Sequence, residues 1–110
     1  MLLTTDTIQA VQFINHEYTQ FVQKVASLDS SRLDGYIANQ QALESFTEQL
    51  INYNECDVML VEPLFSVIQW ANEITMLHKR AKDERYIKYI NANKYLNKLV
   101  DRMITMRMSA

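Results

Sequence analysis

The run Leu77-His-Lys-Arg-Ala-Lys-Asp-Glu-Arg-Tyr-Ile-Lys-Tyr89 decides the fold. It lies within a stretch, Leu64 to Ala110, that contains no Gly and no Pro. As one unbroken helix that stretch would be about 70 Å long at 1.5 Å per residue, too long for a compact monomer of 110 residues. The periodicity points to a break. Upstream, Val67, Trp70, Ile74, Leu77 and Ala81 make an apolar stripe, broadened by Leu64, Ile68 and Ala71. Downstream, Tyr89, Ala92, Leu96, Leu99, Met103 and Met106 make another. Extending the first stripe by sevens arrives one position out of phase with the second. The polar segments Lys82-Asp-Glu-Arg85 and Asn91-Ala-Asn93 are the two candidate break points.

Working back toward the N-terminus, Val11, Ile14, Tyr18, Phe21, Val25 and Leu28 recur at alternating steps of three and four, widened by Ile8 and Val22. That spacing places them on one helical face. Asp6 with Gln9 three residues on resembles a capping box and sets the start; the stop falls near Ser27–Ser30. A second helix begins at Ser31 with Asp34 three residues later, or at Tyr36 with Gly35 in a turn. Its stripe is Leu43, Phe46, Leu50 and Tyr53, extended on an adjacent face by Leu33 and Ile37. Asn52 to Asp57 reads as a loop, after which Pro63 suits a first helical turn, where its missing N–H is no loss.

Composition agrees. Average usage would supply about 8 Gly and 5 Pro; this chain has one of each. β-hairpins need residues that tolerate positive φ, and Asp34-Gly35 is the sole such dipeptide. The expected fold is all-α, an antiparallel four-helix bundle forming a single domain over residues 1–110. The alternative is three helices, with a long C-terminal helix that dimerises.

Cys56 is the only cysteine, so no intramolecular disulfide can form, which favours a reducing compartment. The N-terminus lacks the basic and apolar regions of a signal peptide, and no apolar run approaches a membrane span. A cytoplasmic location and no membrane partner are expected.

Charge is strongly polarised. Residues 79–110 hold nine cations against three acids, net +6; residues 1–78 hold two cations against ten acids, net −8. Such asymmetry concerns partners rather than fold. Lys94, Lys98 and Arg102 fall at i, i+4 and i+8, a basic row suited to acidic protein or phosphate. Arg85-Tyr86, Lys88-Tyr89 and Lys94-Tyr95 interleave cations with aromatics, as single-strand binding would require. The acidic remainder would repel phosphate, which weighs against nucleic acid. Equally, the row can be a solvated face that pairs with the chain's own acidic helices.

Catalytic patterns are missing. His16 and His78 are preceded three residues earlier by Phe13 and Thr75, so neither belongs to a Glu-x-x-His pair of a di-iron bundle. No His-Glu-x-x-His, paired Cys or Gly-x-Ser-x-Gly occurs, and one glycine cannot build the usual phosphate loops. His78 reads as a boundary histidine and Cys56 as an inert thiol. No enzyme activity, cofactor or metal is expected.

Binding is the remaining class. Met103, Met106 and Met108 crowd the C-terminus, and flexible methionine accommodates differently shaped partners. A terminal helix that lifts away would open a groove lined by Tyr89, Leu96, Leu99, Met103 and Met106, with the basic row steering an acidic partner. On that reading, removing residues 94–110 changes partner affinity and leaves most helicity. Phe13 and Phe65, off the narrow stripes, either complete a wide core or form a patch for another chain.

The stretches Ser31-Arg-Leu-Asp-Gly-Tyr-Ile-Ala-Asn-Gln-Gln-Ala-Leu-Glu44 and Ile68-Gln-Trp-Ala-Asn-Glu-Ile-Thr-Met-Leu-His-Lys-Arg80 resemble the second and third helices of flagellar export chaperones of the FliT and FlgN kind. The likeness is one of organisation, covers roughly Ile14 to Met106, and transfers no binding residues. It implies a non-enzymatic chaperone that holds a helical segment of an export substrate, the last helix competing for the same groove. Two readings from other classes stand beside it: a nucleic-acid-binding or transcription-modulating protein, and an inhibitor presenting residues 29–62, with Glu44 and Glu48, as an acidic face.

Overall fold

Four helices follow the apolar periodicity in a computed structural model that describes residues 4–28, 31–53 and 58–109. They are α1 (Thr5–Ala26), α2 (Leu33–Tyr53), α3 (Val61–Arg80) and α4 (Arg85–Ser109), with one 3₁₀ turn, Val58–Leu60, leading into α3. Contacts run α1–α2, α2–α3, α3–α4 and α4–α1, the closed ring of a four-helix bundle. Overall extents of 40 × 30 × 24 Å suit helices of this length.

Each helix end has a local cause. The start of α1 is capped by Thr4, whose Oγ1 accepts the Thr7 N–H at 3.2 Å. Asp6, expected as the cap, sits instead in the first turn, where its charge complements the helix dipole. The second helix starts at Leu33, with the Tyr36 N–H bonded to the Arg32 carbonyl. Gly35 therefore lies in its first turn, and the helix begins two residues later than Ser31. Pro63 is the third residue of α3, as its missing N–H predicts. Cys56 lies outside the described residues.

The break between α3 and α4 falls at the first of the two candidate sites, and Asn91-Ala-Asn93 is helix interior. The closing device is a Schellman motif: the Asp83 N–H bonds to the His78 carbonyl at 2.9 Å and the Lys82 N–H to the Lys79 carbonyl at 3.2 Å. Lys82 takes the left-handed conformation, φ 57°, which usually falls to glycine. Asp83 then caps α4 by accepting the Arg85 N–H on Oδ1 at 3.0 Å. Its Oδ2 also takes the Arg85 guanidinium, with Nη2 at 2.9 Å, and lies 3.4 Å from His78 Nδ1. A continuous long last helix is thereby excluded.

Two consequences follow. Lys82→Gly relieves the left-handed strain but frees the unfolded chain, for a net gain of about 0.5–1 kcal/mol, measurable by urea unfolding. The Arg85 side-chain bonds, then its backbone N–H, hold the Asp83 carboxyl down to about 2 from a usual 3.8. A depressed carboxylate contributes stability above its unfolded pKa and loses it as pH falls through the folded one. Asp83→Asn is therefore expected to lower Tm at neutral pH, and the gap from the parent should close between about pH 4 and 2.

The core is aliphatic in one part and aromatic in the other. Val11, Ile14, Leu43, Phe46, Leu50, Leu64, Val67, Leu96, Leu99 and Met103 are buried. Beside them an aromatic chain crosses all four helices: Phe13 on Tyr89, Tyr89 on Trp70, Trp70 on Tyr18 and Phe21, and Phe21 on Tyr36, with centroids 4.9–6.1 Å apart. Phe13 thus completes the core, whereas Phe65 is exposed. Leu77 and Ala81 of the expected α3 stripe are also exposed. The inner face of α3 is centred on Leu64, Val67 and Ala71, with Thr75 and not Leu77 continuing it.

Candidate functional site

The groove expected under the last helix is not open. Tyr89, Leu96, Leu99 and Met103 are buried among α1 and α3, and Met106 alone of that set is exposed. With the last helix docked, the apolar stripe that sequence suggested for a partner is covered by α1 and α3 as part of the core. Burial pushes the Tyr89 hydroxyl well above the usual phenol range, with the nearby Glu17 charge next in importance. His78 stacks on the Tyr89 ring at 5.4 Å, so it stitches the α3 end to α4 as a boundary histidine would.

The basic row divides. Successive steps of four advance a helical face by about 40°, so Lys94 and Arg102 point well apart. Lys98 and Arg102 line a hollow of about 200 Å³ with Thr4, Thr7 and Tyr95, against the start of α1. Lys94 lines a different groove, between α3 and α4. Among the described residues none of the three takes part in an ion pair; α4 pairs with α3 through Arg107 and Glu62, at 3.8 Å and exposed.

The α3–α4 groove is the larger, about 490 Å³. Its floor is amide. Asn93, on α4 and only 6 % exposed, donates Nδ2 to Asn72 Oδ1 on α3 at 3.0 Å. Asn97 donates Nδ2 to the Asn93 carbonyl at 2.8 Å. Asn93 Oδ1 is buried without a hydrogen-bond partner, an acceptor whose desolvation is not repaid within the chain. The walls are Met76, 49 % exposed, and Ile90, 51 % exposed. Lys79 and Lys94 stand at the rim. Ile87 and Leu77 are each 56 % exposed near the same end of the pair. Carboxamides do not titrate, so this arrangement can hold apolar side chains, a carboxylate and a hydrogen-bond donor, and is poorly equipped to move protons.

Sequence reasoning missed Met76, Ile87, Ile90, Asn72 and Asn93. A signal was present: Ile87, Ile90 and Ile104 recur on a second α4 row, distinct from the core stripe, that a single-stripe reading passes over. Among the described residues, no helix is long and apolar enough to cross a membrane. No protein-family model matches the chain, and no curated protein or solved structure matches it.

Proposed function

We propose that this is a non-enzymatic protein-binding protein, and that it binds its partner on the outer α3–α4 face rather than beneath a lifted last helix. The observation that carries this reading is the α3–α4 groove, with Met76 and Ile90 half exposed over an unpaired Asn93 acceptor. Exposed apolar side chains grouped around a groove mark an interaction surface. The flanking Lys79 and Lys94 favour a segment that carries acid beside its apolar residues.

An export-chaperone role of the FliT and FlgN kind is a narrower form of this proposal, resting on the likeness of residues 31–44 and 68–80 alone. Nucleic-acid binding is the less favoured reading, because the basic row turns by about 80° around α4 and borders two different hollows.

The test compares capture from native lysate by the parent, by Met76→Asp with Ile90→Asp, and by Lys24→Glu, an exposed change on α1. Circular dichroism confirms that each variant is folded. A specific protein retained by the parent and Lys24→Glu but lost from the α3–α4 variant supports the proposal. Identical captures by all three would sink it.

A further inference from the structure

The outer side of α4 carries its own row at steps of three and four: Ile87 and Ile90 at one end, Lys94, Asn97 and Asp101 in the middle, and at the other Met108 with Ile104, which is partly buried against the core. Ile87, Ile90 and Met108 are exposed, the last by 83 %, while the opposite face of the same helix is already in the core. A three–four row on a free helix face is what a second helix packs against.

The row reads the same in both directions in size and opposite in charge. We propose that α4 pairs antiparallel with α4 of a second copy of this chain, about a two-fold axis through Asn97. The proposal rests on the reading that this outer face binds protein, and names the occupant: a second α4, whose Asp101 supplies the acid that Lys94 takes, while Arg85, Lys88, Arg102 and Arg107 of α4 lie off this row. In this register Ile87 meets Met108 of the second copy, Ile90 meets Ile104, and Lys94 meets Asp101, each contact occurring twice by symmetry. On the axis the two Asn97 side chains face each other. Each amide has a second N–H beyond the one given to the Asn93 carbonyl, and a carbonyl oxygen, so the pair can bond reciprocally.

Charge selects this arrangement over its neighbours. A parallel pairing puts Lys94 on Lys94 and Asp101 on Asp101. An antiparallel pairing shifted by one heptad either way puts one of those like pairs at its centre. Only the register centred on Asn97 sets opposite charges together throughout the row. Lys98 flanks the axis in both copies, and its long stem lets the ammonium turn to solvent. Met76 on α3 is half exposed, lines the same groove as Ile90, Lys94 and Asn97, and widens the contact. Polar residues in the middle layers fix register and direction while weakening the pairing, so the dimer is a weak, exchanging one.

Equilibrium sedimentation across the micromolar to near-millimolar range tests it. The parent is expected to pass from monomer to dimer, and Ile90→Asp to remain monomeric. Lys94→Asp and Asp101→Lys should each weaken the dimer at least about tenfold, since each creates two like-charge contacts. The double swap restores both pairs and should return affinity to within about threefold of the parent. In a Cys56→Ser background, oxidised Asn97→Cys should form a covalent dimer and Ile87→Cys should not, because antiparallel helices hold the two copies of position 87 about 30 Å apart. A parent that is monomeric at every concentration overturns the proposal. A double swap as weak as the single changes, or efficient cross-linking through Ile87→Cys, overturns the register. A monomeric parent that still loses a captured protein on Ile90→Asp would remove the dimer and leave the protein-binding reading standing.

Discussion

Deletion of residues 94–110 is expected to abolish the cooperative fold rather than merely alter partner binding. The segment carries Leu96, Leu99, Val100 and Met103, all buried. Each such side chain contributes about 1.5–3 kcal/mol when buried, so together they supply about 6–12 kcal/mol. Net stability of a domain this size is about 5–15 kcal/mol, and the loss also uncovers the faces of α1 and α3 that α4 shields. The deletion should show little helical circular dichroism and no sigmoidal urea transition. A milder companion, Leu96→Ala, should cost about 2–5 kcal/mol and remain folded if the parent lies in the upper half of that range. A truncated chain with near-parental helicity and a sharp transition would mean that the C-terminal half of α4 is detachable, and would restore the groove that sequence suggested.

Trp70→Ala should be the most damaging single aromatic substitution, lowering unfolding free energy by about 3–5 kcal/mol. Trp70 lies on α3, 4.9 Å from the Tyr18 ring at 87°, 5.2 Å from Phe21 and 6.1 Å from Tyr89, so it joins α1 and α4 to α3. Edge-to-face pairs add about 0.5–1.5 kcal/mol beyond area burial. Its indole Nε1 is buried without a hydrogen-bond partner. Removing that donor while keeping a ring should therefore cost far less, and Trp70→Phe is expected to lose about 1–2 kcal/mol. Urea titration followed by circular dichroism measures both. Equal losses for Ala and Phe would show that the indole's second ring, not aromatic contact as such, is what the core requires.

Much of the bundle was legible because periodicity is a local property. Val11, Ile14 and Tyr18 on α1, Leu43, Phe46 and Leu50 on α2, and Leu96, Leu99 and Met103 on α4 occupy the core as their spacing predicts. The phase slip near Lys82 marked the break, although the chain there has no Gly or Pro. Backbone geometry was not legible. That Lys82 would adopt a left-handed conformation, or that Asp83 would cap α4 while holding Arg85, depends on which turn the packed helices permit. Leu77 shows the same limit on α3. Its spacing fits the stripe, but neighbouring helices cover the face centred on Val67 and Ala71, and Leu77 is left in solvent.

The candidate site was less legible than the core. Lys94, Lys98 and Arg102 look like one row in sequence, and the 40° advance per four residues turns the row by about 80°, so that Lys94 borders the α3–α4 groove and Lys98 and Arg102 a hollow beside α1. Asn72 and Asn93 are 21 positions apart, and only the antiparallel approach of α3 and α4 makes them partners. Leu96 and Met103 looked available to a partner because amphipathicity says that a face must be covered and not by what.

What the sequence determined by itself was the number and rough extent of the helices and the side of each that turns from water, since these follow from 3.6-residue repetition and the near absence of Gly and Pro. Tertiary structure decided which chain covers each face. Burying the α4 core stripe against α1 and α3 satisfies the larger hydrophobic demand, and it leaves Met76 and Ile90 on the outside, above a buried Asn93 whose Oδ1 has no hydrogen-bond partner. Only competition among all four helices for limited mutual contact could settle which apolar residues would remain exposed.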